Sequence, residues 1–378
     1  MALINYVTEV RFGAGTLLEL KEVCEKLGIT QPLIVTDRGV EAVGIVDKVR
    51  FALRQQTAAV FNETPPNPSE SAVRAGVEAL KAAGCNGIVA VGGGSSIDLA
   101  KAVAVAARHE GPLRQFALIE GGLQRITDAT LPIVAIPTTA GTGSEVGRGA
   151  IIILDDGRKV GIISPYVIPK VAICDPELTV GLPAGLTAAT GMDAIAHCIE
   201  TFLAPAFNPP ADGIALDGLW RAWRHIEVAV YEPADIEART NMMSASLQGA
   251  LAFQKGLGCV HSLSHSLGGI NPKLHHGTLN AILLPAVVRF NRGAGSVQRE
   301  DKLARLSQAM GLPASVAVEE ALIAKSRALQ LPTGLADLGV THGLFGRIVQ
   351  GALADHSHRT NPREASAADY ADMLQQSM

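Results

Sequence analysis

The sequence predicts two structural classes in one chain, an α/β half built on a parallel sheet and then an all-helical half. Three observations carry that reading. In the first half, short apolar runs that end in turns alternate with longer amphipathic stretches, the signature of strands crossed over by helices. Beyond Leu182-Pro183 the strand-like runs vanish, and alanine-rich segments with apolar spacings of three and four take over. The 378 residues also exceed the ~250–300 at which a single core stops growing. Two domains are expected, 1–183 and 184–378, with no Gly/Ser linker and a ligand cleft where they meet.

Gln31–Asp37 (QPLIVTD), Gly87–Val91 (GIVAV) and Leu131–Pro137 (LPIVAIP) are continuous apolar runs, as strands covered on both faces should be. Between them Glu41–Gln55 and Ser69–Ala83 have helical spacing. The second opens on Pro-Ser and stops at Gly84, as a capped helix does. Ile97–Ala107 reads as a further amphipathic helix. In the second half Leu186–Phe202, Arg239–Phe253 and Val318–Leu329 carry the helical period.

Composition narrows the function. Apolar residues make up 48% and no low-complexity tract interrupts them, which excludes a disordered chain. With 32 basic against 36 acidic residues there is no positive stripe for a phosphate backbone, so nucleic acid is excluded as a partner. The five cysteines are scattered, without a Cys-x-x-Cys pair, and read as reduced core residues. No apolar run reaches the ~20 residues of a membrane span. The opening MALINYVTEVRFG breaks any signal-peptide core with a polar residue and an acid, and a cytoplasmic location is expected.

The strand Gly87–Val91 runs into Gly92-Gly93-Gly94-Ser95-Ser96 and then into a helix. Glycines admit a ligand close to the backbone, and the free N–H groups of the helix start attract a pyrophosphate. Ile97 stands where the last glycine of the dinucleotide fingerprint would fall, so a turn that only packs helix on sheet fits equally well. A second turn, Thr138-Thr139-Ala140-Gly141-Thr142-Gly143-Ser144-Glu145, offers four hydroxyls at the carboxyl end of a strand, where open α/β sheets bind ligands. It has no lysine for a Walker loop. Asp37 ends the earlier strand. A carboxylate there accepts from a ribose 2′-hydroxyl and repels a 2′-phosphate, favouring NAD over NADP; capping the next turn is its competing role.

Five of the ten histidines fall in two short stretches of the helical half. Asp193 and His197 are four apart in apolar surroundings, and so are His261 and His265; His275-His276-Gly277 follows within a loop's length. A buried carboxylate costs several kcal/mol unless compensated, and a shared cation would compensate it. One oxygen and three neutral imidazoles make a mononuclear divalent site with room for substrate. Each histidine alone is better explained as a core or surface residue, and it is the grouping that points to metal.

With the glycine turn, the Thr/Ser turn and the histidine cluster in this order, the chain resembles the iron-containing (group III) alcohol dehydrogenase family over nearly its whole length. The carriers are Gly92–Lys101 (GGGSSIDLAK), Pro137–Glu145 (PTTAGTGSE), Ala188–His197 (AATGMDAIAH), Gly258–His265 (GCVHSLSH), His276-Gly277 and Asn361-Pro-Arg363. The resemblance implies a Rossmann-like N-terminal domain, an all-helical C-terminal domain as in dehydroquinate synthase, and NAD beside a divalent metal. It implies Asp193, His197, His261 and His276 as metal ligands. It places Asp37, Gly93, Gly94, Ser95, Thr138, Thr139, Thr142 and Leu186 at the cofactor, and His265 beside the nicotinamide and substrate as proton relay. One departure concerns the last ligand: His275 keeps the family's spacing from His261, while His276 keeps its glycine neighbour. His276 is taken, because that glycine sets the turn that aims the ring; His275 is the alternative.

The function so implied is a metal-dependent, NAD-linked oxidoreductase of a small primary alcohol or hydroxy acid, with Fe²⁺ from the family and Zn²⁺ the tighter binder on intrinsic affinity. A homodimer is the default assembly. Two alternatives stand beside it. A dehydroquinate synthase-like lyase would need basic side chains around the cluster, whose neighbours are apolar. A maleylacetate reductase-like enzyme would use His358 and Arg359 for a carboxylate. Leu251 and Phe253 divide between substrate pocket and helix core, the second being the commoner role.

Overall fold

The computed structural model describes Tyr6 and residues 8–378. Its chain forms two compact units, Tyr6–Thr139 with Gly143–Gly181, and Ala140–Thr142 with Leu182–Met378.

The first unit holds strands β1 (Glu9–Phe12), β2 (Pro32–Val35), β3 (Ala59–Phe61), β4 (Gly87–Gly92), β5 (Ile133–Pro137), β6 (Gly149–Ile153), β7 (Lys159–Ile163) and β8 (Val171–Cys174). Six of them make a parallel sheet in the order β1-β8-β5-β4-β2-β3, and β6 and β7 pair as a separate antiparallel ribbon. Its helices are α1 (Leu20–Lys26), α2 (Arg38–Ala42), α3 (Ile45–Leu53), α4 (Glu70–Ala82) and α5 (Gly94–Ala106). Successive strand residues point to opposite faces. Ile34, Val89, Val91, Val134 and Ile136 therefore join one core with α1 and α3, while Leu33, Val35, Ile88, Ala90 and Ile133 join the other with α4 and α5. Both faces are covered, which is why the central runs are apolar without alternation.

The structure departs from the sequence expectations at the turns. The predicted helix Glu41–Gln55 is two helices, parted where Gly44 takes φ 77°. The helix expected from Ile97 starts at Gly94, so Gly94-Ser95-Ser96 form its first turn. Strands β1, β3, β6, β7 and β8 lie outside the runs that the sequence assigns to strands.

Lys101, on α5, is fully buried, and burial pushes its ammonium down to about 8. It donates to Ser144 Oγ (2.9 Å), Gly147 O (2.9 Å) and Gly149 O (2.7 Å), while Asp98 accepts from Ser144 Oγ and Ile151 N. These bonds fix the end of the Thr/Ser turn and the residues that follow it. Lys101→Met leaves those acceptors unsatisfied beside the Asp98 carboxylate, and should cost about 3 kcal/mol of unfolding free energy. Urea denaturation reads it as a lower midpoint at constant slope; an unmoved midpoint refutes it.

The second unit contains α6 (Ala184–Leu203), α7 (Pro209–Tyr231), α8 (Ile236–Leu251), α9 (Cys259–Ile270), α10 (His276–Asn291), α11 (Gly295–Arg299), α12 (Lys302–Met310), α13 (Val318–Ala328), α14 (Phe345–Ala354) and α15 (Ala367–Gln376), with no strand among its described residues. α6 is buried on every side from Thr187 to Leu203 and packs against α7, α8 and α10. A helix apolar all round belongs at such a centre, and its few polar side chains are therefore exceptional.

Candidate active site

Besides three threonines, those exceptions are Asp193, His197 and Glu200, 2–3% exposed, which stand four and three residues apart and share one face of α6. His197 Nε2 lies 3.7 Å from Asp193 Oδ1, and His261 Nε2 of α9 lies 3.9 Å from it. The two ring nitrogens are 2.9 Å apart. His276 Nε2, from the first residue of α10, approaches the same carboxylate oxygen at 3.8 Å. Three helices thus aim one oxygen and three imidazole nitrogens at a common point.

The far sides of the rings assign the tautomers. His197 Nδ1 faces the Gly141 carbonyl oxygen at 3.1 Å, and a carbonyl can only accept, so Nδ1 carries the proton. His261 Nδ1 donates to Glu200 Oε2 at 2.5 Å. Both Nε2 atoms therefore present lone pairs to each other and to a carboxylate, at residues only 1–3% exposed. Such an arrangement is repulsive unless a cation lies within it, and the donor set fits a divalent metal ion. Glu200 completes a carboxylate–histidine pair of the kind that backs metal ligands. Burial pushes its carboxyl up to about 7, against the amides of Val260 and Gly258 and the neighbouring His197, which pull it down. Asn280, fully buried one turn along α10 from His276, donates from Nδ2 to Asp193 Oδ1 at 2.6 Å.

His275 is the residue before α10, and its Nδ1 turns to Thr278 Oγ1 at 3.5 Å. The expectation that Gly277 forms a turn is corrected: it lies inside the first turn of α10. A Cβ there would stand 2.2 Å from the carbonyl oxygen of Ala189. Glycine is needed so that α10 can close on α6. Gly141 serves likewise, since its Cβ would meet Thr190 at 2.7 Å and hold the carbonyl away from His197.

His265 sits one turn beyond His261 on α9, its ring stacked on His276 with centroids 5.4 Å apart. Its Nδ1 pairs with Asp355 Oδ2 at 3.0 Å, and His356 Nδ1 lies 3.6 Å from the same oxygen. Burial acts to raise the Asp355 carboxyl, but His265 and His356 together hold it below the usual carboxylate range. Phe253 packs its ring edge-on to His197 at 4.8 Å, while Leu251 ends α8 half-buried. His358 bonds the Tyr370 hydroxyl at 2.9 Å and Arg359 is exposed.

In the first unit, β4 and β5 are neighbours in register at Gly92 and Pro137, so the glycine turn and Thr138-Thr139 emerge side by side. Thr138 N donates to Gly92 O at 3.0 Å, and a Cβ on Gly93 would lie 3.4 Å from the Thr139 side chain. Gly94 and Ser95 open α5, with the Ser95 hydroxyl donating to Pro66 O. Asp37 ends the next strand at the same edge. It caps α2, its Oδ1 accepting from Gly39 N (2.8 Å) and Val40 N (3.0 Å), and Ser96 Oγ donates to Oδ2 at 3.2 Å. Thr142 belongs with Gly141 to the helical unit, and Leu186, in the first turn of α6, is 41% exposed.

Sequence reasoning passed over Glu200, Asn280 and Asp355. Glu200 had a signal, since it lies seven residues beyond Asp193 on the same helical face; Asn280, four beyond His276, had the same one. Asp355 had none, because only the fold brings it to His265.

The architecture and cluster define a two-unit metalloenzyme, with glycine- and hydroxyl-rich strand ends in one unit and a His/Asp centre in the other. Residues 7–176 match the family of iron-containing alcohol dehydrogenases, and residues 187–378 match the C-terminal part of that family. The chain is 60% identical to a 4-hydroxybutyrate dehydrogenase of Cupriavidus necator over 100% of both sequences. It is 37% identical to a 1,3-propanediol dehydrogenase of Klebsiella pneumoniae, covering 97% of this chain and 96% of that one. A crystal structure of a 1,3-propanediol oxidoreductase superimposes with a TM-score of 0.91 at 35% identity, over 100% of both chains. The chain belongs to the iron-containing alcohol dehydrogenase family. It is an NAD-linked oxidoreductase that interconverts an alcohol or hydroxy acid with the corresponding carbonyl compound.

Glu200→Ala frees the His261 ring to turn and to change tautomer. Metal affinity, measured by competition with a chelator, should fall about 10–100-fold. Unchanged affinity would show that Glu200 does not support His261.

Proposed function

We propose that the enzyme oxidises ω-hydroxy acids of the 4-hydroxybutyrate kind with NAD, using residues 1–183 for the dinucleotide and 184–378 for metal and substrate. The 60% identity to a 4-hydroxybutyrate dehydrogenase along the entire chain carries this reading. Asp193, His197, His261 and His276 hold the metal, iron before zinc on the family's character. A cation at that point supplies the Lewis acidity that makes an alcohol hydroxyl ionisable near neutral pH.

This chain's residues do the rest. Gly93, Gly94, Ser95, Thr138, Thr139, Thr142 and Leu186 receive the cofactor, and Asp37 accepts from its ribose. His265 donates through Nδ1 to Asp355, which leaves Nε2 as the acceptor for the hydroxyl proton. The five free, buried cysteines suit a reducing cytoplasm, and a homodimer is the assembly we expect.

A screen of metal-loaded protein for NADH formation tests the substrate. 4-Hydroxybutyrate should exceed 1,3-propanediol and 1-butanol in kcat/KM by about tenfold, the scale of one well-placed polar contact. A diol or simple alcohol as the best substrate refutes the hydroxy-acid assignment. His265→Ala should lower kcat about 10²-fold at unchanged metal content; wild-type turnover removes the relay. Asp37→Ser should raise NADP use relative to NAD, and an unaltered preference removes Asp37 from cofactor selection.

A further inference from the structure

An ω-hydroxy acid differs from a simple alcohol by its carboxylate, and none of the groups assigned so far receives one. The sequence offered His358 and Arg359. The His358 ring is bonded at 2.9 Å to the hydroxyl of Tyr370, which is fully buried, and Arg359 is exposed, with no hydrogen bond or ion pair to the histidine cluster among the described residues. His356 stands differently. It opens the single 3₁₀ turn His356–Thr360, and its ring stacks on that of His265, the centroids 5.7 Å apart and the planes 24° from parallel. His265 stacks in turn on His276. The 3₁₀ turn is fastened to the start of α9, because Thr360 Oγ1 donates to Leu257 O at 2.6 Å and Asn361 Oδ1 accepts from Cys259 N at 3.2 Å.

Both Nδ1 atoms approach one oxygen, Asp355 Oδ2, which lies 3.0 Å from His265 and 3.6 Å from His356. With the rings close to parallel, both Nε2 atoms therefore face away from Asp355. Neither Nε2 has a hydrogen-bond partner among the described residues, and exposure rises along the row, from 8% for the His265 side chain to 27% for that of His356. Asp355 is itself held, its Oδ1 accepting from Ser357 N at 2.8 Å. Resting on the hydroxy-acid reading above, we propose that His356 receives the substrate carboxylate and so sets the preference for ω-hydroxy acids over simple alcohols. The lengths agree. At about 1.5 Å per bond, an extended four-carbon chain holds its carboxylate about 5–6 Å from its hydroxyl, and the two rings are spaced by 5.7 Å. A hydroxyl at His265 Nε2 thus brings the carboxylate to His356 Nε2. The ring then lies between two carboxylates, with Nδ1–H toward Asp355 and Nε2–H toward the substrate, both charge-assisted. Without substrate, burial holds His356 below the ordinary histidine range, although Asp355 acts to raise it. A second carboxylate adds to that raise, so the substrate anion binds together with a proton.

Steady-state kinetics of the metal-loaded enzyme with NAD test this. His356→Phe keeps an aromatic ring against His265 and removes both nitrogens. It should raise KM for 4-hydroxybutyrate about tenfold more than KM for 1,3-propanediol, with kcat for the acid nearly constant, and His356→Ala should show the same split. Butyrate, which keeps the carboxylate and lacks the reacting hydroxyl, should bind about tenfold more weakly to either variant in calorimetric titration of the metal-loaded NADH complex. Equal changes in KM for acid and diol, or butyrate affinity at the wild-type level, overturn the assignment of His356. A wild-type enzyme that does not favour 4-hydroxybutyrate over the diol refutes the hydroxy-acid reading itself, whereas a preference that survives in His356→Phe refutes the role of His356 alone.

Discussion

Two imidazole lone pairs held 2.9 Å apart beside a buried carboxylate oxygen are the constraint on which the helical unit depends. Like-polarity atoms are not driven together by burial, and water cannot screen them in this interior. The Asn280 amide, with Nδ2 2.6 Å from Asp193 Oδ1 and 3.3 Å from His261 Nε2, offsets part of this. A cation held there, as proposed, would offset the rest, and its binding energy would then be folding energy for the helices that bring the ligands, because no such constellation exists in the unfolded chain.

That requirement explains features of α6 that helix propensity does not. A central helix could be leucine-rich throughout, yet α6 carries alanine, glycine and threonine along Thr187–Gly191 and alanine again at Ala194 and Ala196. Small side chains let α10 approach until Gly277 nearly touches the Ala189 carbonyl, and let the Gly141 backbone reach His197. The ligands are thereby positioned by backbone contacts, which have little freedom, rather than by flexible side chains. The outer partners follow the same economy: a carbonyl for His197, a carboxylate for His261 and an amide for Asp193.

How much of this was legible in the sequence depended on the range of the interactions. The central strands and the crossover helix after Ser69 are local patterns, and they stand where their periodicity and caps put them. The His and Asp pairs are also local, because a spacing of four sets a shared helical face before any tertiary contact forms. The edge strands were invisible, since three residues such as Ala59–Phe61 are defined by pairing rather than by sequence. His275 and His276 could not be separated on spacing, because the choice turns on where α10 begins. Gly277 shows the limit best: its presence was informative, but it marks a helix crossing, and no rule of turn chemistry would have found that.

In the cofactor role proposed for it, Asp37 serves fold and selectivity together. Its Oδ1 is committed to two backbone N–H groups at the start of α2, so the carboxylate cannot swing away without undoing the cap. Oδ2 holds only the Ser96 hydroxyl, a bond that a ribose hydroxyl can replace in kind. A 2′-phosphate brings no proton to offer and meets a negative charge that cannot retreat. Discrimination at such a position comes from rigidity as much as from charge, because a mobile carboxylate would turn aside at small cost. In that proposed role, the cap that would serve as an innocent explanation of Asp37 is what would let it select.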